Sequence, residues 1–218
     1  MKYIKFLLTS LTLFTYQVYA AQNLIVNIPG DSASSTAGTF NPTSSSGDLR
    51  GCLHYINTTT ISAPDTFNIT FNIPSDQTIS LEKLLPIVNL VNTNTVIIDG
   101  TNSGDQIVID GDGSFRGFFI RQGAVTLENI TLSNVSATHN DSGLTGRGGG
   151  MGAGGGIFND EADVTIDNVT FQRCTASGGS GEEANVGGCG GGGGMGGIGG
   201  SRGFRDSLSG GVVVVAAE

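Results

Sequence analysis

Apolar side chains follow the same spacing in two segments of the chain, residues 125–137 and 164–176. Successive apolar positions in each segment are two, three, two and three residues apart, whereas an amphipathic helix requires steps of three and four. A step of two keeps alternate side chains on one face of a strand, and a step of three marks a corner between strands. The spacing therefore predicts short strands that keep one face inward while the chain turns, as in a solenoid of stacked coils.

The two segments are also copies of one another, offset by 39 positions. Of 13 aligned positions, five are identical and six are conservative. A corner of each copy falls at Glu128-Asn129 and Asp167-Asn168, where Asn tolerates the positive φ that a tight corner requires. Internal repeats stack on their neighbours, so we expect one shared apolar interior. Its predicted members are Leu127, Ile130, Leu132, Ile166, Val169 and Phe171.

Other segments predict further strands and one helix. Strict alternation over residues 65–73, ended by Pro74, is the clearest strand pattern. Apolar positions 49, 52, 53 and 56 have helical spacing with Asp48 as the N-cap, so residues 47–57 predict a short amphipathic helix that covers the N-terminal end of the coils. Residues 29–46 predict a loop, because Ser, Thr, Gly and Pro dominate them. The remaining predicted strands are 22–28, 78–81, 87–90, 96–98, 107–109 and 118–120.

Glycine separates the folded part of the chain from its expected loops. Most of the 36 glycines follow residue 142, in the tracts 146–156 and 178–203. Glycine buries no side chain and loses the most backbone entropy on ordering, so both tracts predict flexible loops outside the core. A leucine-rich repeat is the alternative architecture, since each copy meets half of its template, but glycine occupies the place of the convex helix.

The N-terminus has the pattern of a secretory signal peptide. Lys2 and Lys5 precede an apolar run over residues 6–18, and small residues occupy the −3 and −1 positions of a cleavage site after Ala20. The apolar run is short for a spanning helix, which needs ~20 residues. We expect a signal peptide at 1–20, a folded domain with its capping helix at 21–176, and a glycine-rich, poorly ordered tail or truncated continuation at 177–218.

Charge and cysteine content narrow the class of protein. Ten basic and nineteen acidic residues give a net charge of −9, and loss of two lysines with the leader leaves −11. An acidic exported chain is a poor match for nucleic acid or an anionic membrane surface. Three cysteines leave the disulfide state open. Cys174 could pair with Cys189, but the repeat places Cys174 at the inward position of Val135 and favours a small buried hydrophobe there, while Cys52 lies on the predicted helix.

Several motifs resemble those of bacterial surface β-helix proteins, most closely the polymorphic outer membrane proteins, the autotransporters of chlamydia-like bacteria. Gly155-Gly156-Ile157 resembles the Gly-Gly-Ala-Ile motif of that family without its Ala, and Phe171-Gln-Arg-Cys174 resembles the Phe-x-x-Asn motif with Cys in place of Asn. Residues 47–56 are similar to the helix that opens many such passengers. The resemblance covers about residues 45–176 and implies an all-β, right-handed parallel β-helix of the pectate-lyase-like class, with a short N-terminal capping helix and glycine-rich loops.

Polysaccharide lyases and hydrolases share that fold, so the carboxylates are candidates for catalysis. A hydrolase needs two carboxylates facing one sugar, and a calcium-dependent lyase needs clustered Asp beside a basic group. The tendency of Asp-Gly to form turns already accounts for the Asp residues among the candidates. Neither His54 nor His139 has metal-ligand spacing with the cysteines. The best candidate residues are Asp99, Asp110, Asp112, Arg116 and Arg121.

The sequence therefore predicts an exported, cell-surface or outer-membrane-associated β-helical protein with an adhesin-like, structural or host-interaction role. Host-cell surfaces or glycans are the expected partners, and no cofactor, metal or catalytic residue is assigned. A β-helix polysaccharide lyase or hydrolase is the alternative from another class of function.

Overall fold

The computed structural model describes residues 21–31, 37–59, 66–74, 78–90, 94–138 and 151–180. The predicted signal peptide, His139, Cys189 and most of the predicted tail lie outside these ranges. Within them the chain is mostly β, with parallel sheets and one short helix. That helix falls well short of the length and apolar character needed to cross a bilayer, and the described residues contain no other candidate.

The described part of the chain contains 17 strands and one helix. The N-terminal elements are β1 (Gln22–Val26), β2 (Phe40–Asn41), β3 (Ser46–Gly47), α1 (Leu49–Thr58), β4 (Thr66–Phe71), β5 (Thr78–Ser80) and β6 (Val88–Asn89). The central elements are β7 (Thr95–Asp99), β8 (Thr101–Asn102), β9 (Asp105–Asp110), β10 (Phe118–Gln122), β11 (Ala124–Glu128), β12 (Ile130–Ser133) and β13 (Ser136–Thr138). The last are β14 (Ile157–Asn159), β15 (Asp163–Asp167), β16 (Thr170–Gln172) and β17 (Thr175–Ser177).

From β4 onward the chain visits the sheets in turn, apart from the adjacent strands β8 and β9, whereas β1 to β4 all belong to one sheet. Sheet 1 has the order β15-β11-β7-β4-β1-β3-β2, and sheet 2 has the order β16-β12-β9-β5 with β8 beside β9. Sheet 3 has the order β14-β10-β6, and sheet 4 pairs β13 with β17. All pairings are parallel except β2 with β3 and β8 with β9. The path therefore brings strands from successive passes of the chain side by side.

The sequence repeat is a structural repeat with the same register. Val125 pairs with Val164, Leu132 with Phe171 and, in sheet 4, Ala137 with Ala176. The 39-residue offset is thus held in all three sheets that contain both copies. The predicted corners are also confirmed, since Asn129 and Asn168 have φ values of 56° and 50°.

The prediction of a shared interior is confirmed for the first copy only. Leu127, Ile130 and Leu132 are fully buried in one hydrophobic cluster. Their counterparts Ile166 and Phe171 are 49% and 47% exposed, because the second copy is the last layer among the described residues. Val169 is partly buried against the same cluster.

Helix α1 forms as predicted and packs its apolar face on the core. The Asp48 carboxylate accepts a hydrogen bond from the amide of Gly51 (2.6 Å), which satisfies a free donor of the first turn. The side chains facing inward are Leu49, Cys52, Leu53 and Ile56. His54 is exposed, since it lies on the opposite face of the helix.

Two predicted loops contain ordered structure. Strands β2 and β3 pair within the region predicted as a loop at residues 29–46, and they extend sheet 1 beyond β1. In the first glycine tract, Gly152, Gly155 and Gly156 are buried, not extruded as predicted. A Cβ on Gly155 would lie 1.9 Å from the carbonyl oxygen of Thr175, so the absence of a side chain permits close backbone packing there.

Candidate functional site

The two carboxylates at the ends of strands β7 and β9 accept hydrogen bonds from residues of the turns that follow. Asp99 accepts hydrogen bonds from the Thr101 amide and the Asn129 side chain, both at 2.9 Å. Burial alone would raise the pKa of Asp99, but these hydrogen bonds outweigh it and hold the pKa below its ordinary value. Asp110 likewise accepts from the Asp112 amide (2.8 Å) and the Asn134 side chain (2.7 Å). Both side chains stabilise corners of the chain.

Each of these corners continues into the second copy of the repeat as a ladder of side chains. The side-chain Nδ2 of Asn168 donates to the side-chain Oδ1 of Asn129 at 2.8 Å. At the other corner, Arg173 Nε donates to the side-chain Oδ1 of Asn134 at 2.6 Å. All four residues have positive φ, and the ladders link one layer to the next. The second corner, at Asn134 and Arg173, was not predicted because the two residues differ in type.

The structure does not gather the five predicted candidates into one site. Asp99 and Asp110 belong to separate corner ladders, and Asp112 is exposed at a positive φ of 52°. Arg121 is exposed and lies 4.0 Å from the carboxylate of Asp160. Of the five, Arg116 alone lines an extended cavity.

A stack of acidic side chains follows the ends of three neighbouring strands in sheet 1. Glu128 pairs in register with Asp99 on one side and Asp167 on the other. Burial, and then the two neighbouring carboxylates, raise the pKa of Glu128. No group of three His, Cys, Asp or Glu among the described residues is arranged to hold a metal ion.

An open groove of about 760 Å³ lies beside sheet 3. One wall is the apolar segment that leads into β6, where Leu84 is 60% exposed. The other wall is formed by the loop and strand around Arg116. Volume and lining fall within the usual range for small-molecule sites, which are mostly apolar with few polar groups. The lining side chains include Leu84, Pro86, Ile87, Phe115, Arg116 and Phe119.

Arg116 lacks an acidic partner among the described residues. Its Nη2 donates to the carbonyl oxygen of Ala153 at 2.9 Å, and its buried Nε has no acceptor. The guanidinium lies 5.6 Å and 5.2 Å from the ring centroids of Phe119 and Phe158, within the range of a cation–π contact. Burial lowers the pKa of Arg116, which reflects the cost of desolvating an unpaired cation.

A buried ion pair fixes the apolar wall of the groove. Arg50 Nε and Nη2 donate to the two oxygens of Asp31 at 2.5 Å and 2.6 Å. Arg50 Nη1 donates to the Leu84 carbonyl oxygen at 2.7 Å, and Asp31 accepts from the Glu82 amide at 2.9 Å. Burial would raise the pKa of Asp31, but the Arg50 side chain and the backbone donors lower it overall. The pair therefore holds the segment that carries Leu84 against α1.

Cys52 and Cys174, the two cysteines within the described residues, both have a raised pKa. Cys52 is a free, buried thiol whose pKa is raised to about 12 by burial and by the nearby Asp48. Cys174 is partly buried against the core, in the inward register of Val135, and its pKa is also raised by burial. The alternative pairing of Cys174 with Cys189 concerns a residue outside the described ranges.

The groove itself was not predicted from the sequence. Its aliphatic wall lies in a segment that was only expected to lead into a strand, although the run Leu84-Leu85-Pro86-Ile87 is unusually apolar for a connection. The chain matches no protein-family model, and searches of curated proteins and of solved structures likewise give no match.

Proposed function

We propose that this chain is an exported cell-surface protein whose folded part is a right-handed parallel β-helix with an adhesin-like role. The observation that carries the proposal is the in-register stacking of the two repeat copies, with 39 residues between layers in three sheets. Parallel strands that recur at a fixed offset, each in a different sheet from the strand before, are the arrangement expected of a solenoid.

The stack provides a stiff support for a binding surface. Corner ladders at Asn129 and Asn134 join neighbouring layers, and α1 packs on the apolar interior at the other end of sheet 1. The groove beside sheet 3 supplies a concave surface on this support. A rigid scaffold that presents its outer surface is consistent with host-surface or glycan binding, whereas the apolar groove is poorly suited to a sugar.

The alternative, a carbohydrate-active β-helix enzyme, gains no support from the candidate carboxylates. Asp99 and Asp110 use their oxygens to stabilise turns, as the hydrogen bonds to Thr101 and Asp112 illustrate. Cleavage of polygalacturonate in the presence of calcium, lost in the Asp110→Ala variant, would favour the enzyme over the surface protein.

Export and surface display can be tested in one experiment. The full chain is expressed in a Gram-negative host, the cells are treated with an external protease, and the mature N-terminus is determined by mass spectrometry. We expect a chain that begins at Ala21 and is sensitive to the protease on intact cells. A chain retained in the cytoplasm with residues 1–20 intact would refute the surface assignment. Binding to host cells or a glycan array then tests the adhesin-like role.

A further inference from the structure

We propose that the groove beside sheet 3 binds an amphipathic anion, an acyl chain with a carboxylate head group such as a long-chain fatty acid. The carboxylate would pair with Arg116, and the acyl chain would lie along the aliphatic wall. The proposal concerns the folded chain itself and does not depend on where the protein is located.

The charge at the groove requires an anion. The charged side chains that line it, Arg50, Lys83 and Arg116, are all basic, although the chain as a whole carries a net charge of −9. Asp31 neutralises Arg50, but no carboxylate of the described residues pairs with Arg116. A partly desolvated cation without a counter-ion is unfavourable, so an anionic ligand would gain a charge-assisted hydrogen bond there.

The remainder of the groove favours a ligand with a large apolar part. Leu84, Pro86 and Ile87 form an aliphatic wall with two exposed large side chains, and aromatic rings face it. A sugar would bring many hydroxyl groups that this wall cannot hydrogen-bond, and leaving them unpaired is unfavourable. Methylene groups, in contrast, gain free energy from burial against such a surface.

An extended peptide is a poorer match because the strand edge at the groove is already occupied. β6 is the edge strand of sheet 3, and its free backbone groups would be the place to add a peptide strand. The Asn57 side chain takes two of them: it donates to the Ile87 carbonyl oxygen at 2.7 Å and accepts from the Asn89 amide at 2.9 Å. An acyl chain forms no backbone hydrogen bonds, so the hydrogen bonds of Asn57 to this edge do not weaken its binding.

The test is calorimetric titration of the purified chain with dodecanoate below its micellar concentration. Dodecyltrimethylammonium has the same tail with the opposite charge, and shorter carboxylates have the same head group. We expect the trimethylammonium compound to bind at least tenfold more weakly. Each methylene removed from the carboxylate should weaken binding by roughly fourfold.

Variants locate the site. Arg116→Gln should weaken dodecanoate binding by roughly tenfold or more, because it removes a charge-assisted hydrogen bond. Leu84→Ser, at a position where the leucine is 60% exposed, should weaken it by roughly tenfold through loss of apolar contact. Arg121→Gln is the matched control and should leave the affinity unchanged, since Arg121 is exposed and lies beside Asp160.

Four results would overturn the proposal. They are no binding of dodecanoate, equal binding of the trimethylammonium compound, unchanged affinity in both the Arg116→Gln and Leu84→Ser variants, or binding of oligogalacturonate in place of dodecanoate. Thermal unfolding of each variant distinguishes lost binding from lost folding.

Discussion

Replacement of Asp31 by Asn tests whether the buried ion pair holds the apolar wall of the groove. Asp31 accepts from two nitrogens of Arg50 and from the Glu82 amide, and its side chain is 1% exposed. Asn retains one acceptor oxygen but turns an NH2 group toward the guanidinium and leaves the Arg50 charge uncompensated. Loss of one partner of a buried pair destabilises a protein by about 3–5 kcal/mol.

The assay is urea unfolding followed by far-ultraviolet circular dichroism, since the chain contains no Trp for fluorescence. With a urea dependence of about 1–3 kcal/mol per molar, the expected loss lowers the unfolding midpoint by about 1–5 M. Asp160→Asn is the matched control, because it removes the acid of an exposed pair whose closest charged atoms are 4.0 Å apart. An exposed pair contributes about 0–1 kcal/mol, so the control should remain close to the parent.

The lowered pKa of the Asp31 carboxylate predicts how the stability that it contributes changes with pH. The pKa of Asp31 is lowered in the folded chain, so its contribution to stability is present above the unfolded pKa and is lost as the pH falls through the folded value. The difference in stability between the parent and Asp31→Asn should therefore shrink in acid. A loss below about 1 kcal/mol at neutral pH, or a loss equal to that of the exposed-pair control, would refute this account.

Three further substitutions probe the stacked layers, each by urea unfolding. Asn129→Ala should destabilise the chain by about 1–3 kcal/mol, because it removes a ladder hydrogen bond and places Ala at a φ of 56°. Asn129→Gly should restore only the part of the loss that is due to φ. Equal losses in the two variants would contradict a contribution from backbone strain. Gly155→Ala should destabilise the chain by about 1–3 kcal/mol through overpacking. A Cβ on Gly30 meets nothing within 4 Å, so the control Gly30→Ala should be near neutral. A similar loss in both variants would be inconsistent with close packing at Gly155. Glu128→Gln should stabilise by about 0.2–1 kcal/mol at pH 7, since it removes repulsion between carboxylates in register. Because the pKa of Glu128 is raised in the folded chain, that gain should vanish below the ordinary Glu pKa of about 4.3, and a gain that persists at pH 3 would point to another cause.

Local sequence patterns were sufficient to predict the features whose backbone conformation depends on a short stretch of sequence. The cap at Asp48, the strand at 66–71 and the corners at Asn129 and Asn168 all depend on neighbouring residues, and each forms as predicted. The repeat added one long-range fact, the pairing of positions 39 residues apart. That prediction succeeded because identical strands have identical inward faces and stack without a change of register.

Predictions failed where burial depends on what lies above or beside a residue. Ile166 has the same spacing as Leu127, yet it is exposed because no described layer covers it. Gly155 was expected in a loop, yet a neighbouring carbonyl group packs against it. Arg50, charged and adjacent in sequence to apolar positions, gave no sign that it would be buried on Asp31.

The sequence by itself determined that the chain forms short strands with one inward face, where two of its corners lie and that the two repeat copies stack. Those properties follow from alternation, from the φ preference of Asn and from repetition, all of which act over a few residues or between like segments. Only the tertiary structure decided which side chains converge: it assigned Asp99 and Asp110 to corner ladders and set Arg116 opposite the wall that Arg50 anchors. Convergence of this kind depends on how far each connection carries the chain between layers, and no local pattern of side chains encodes that distance.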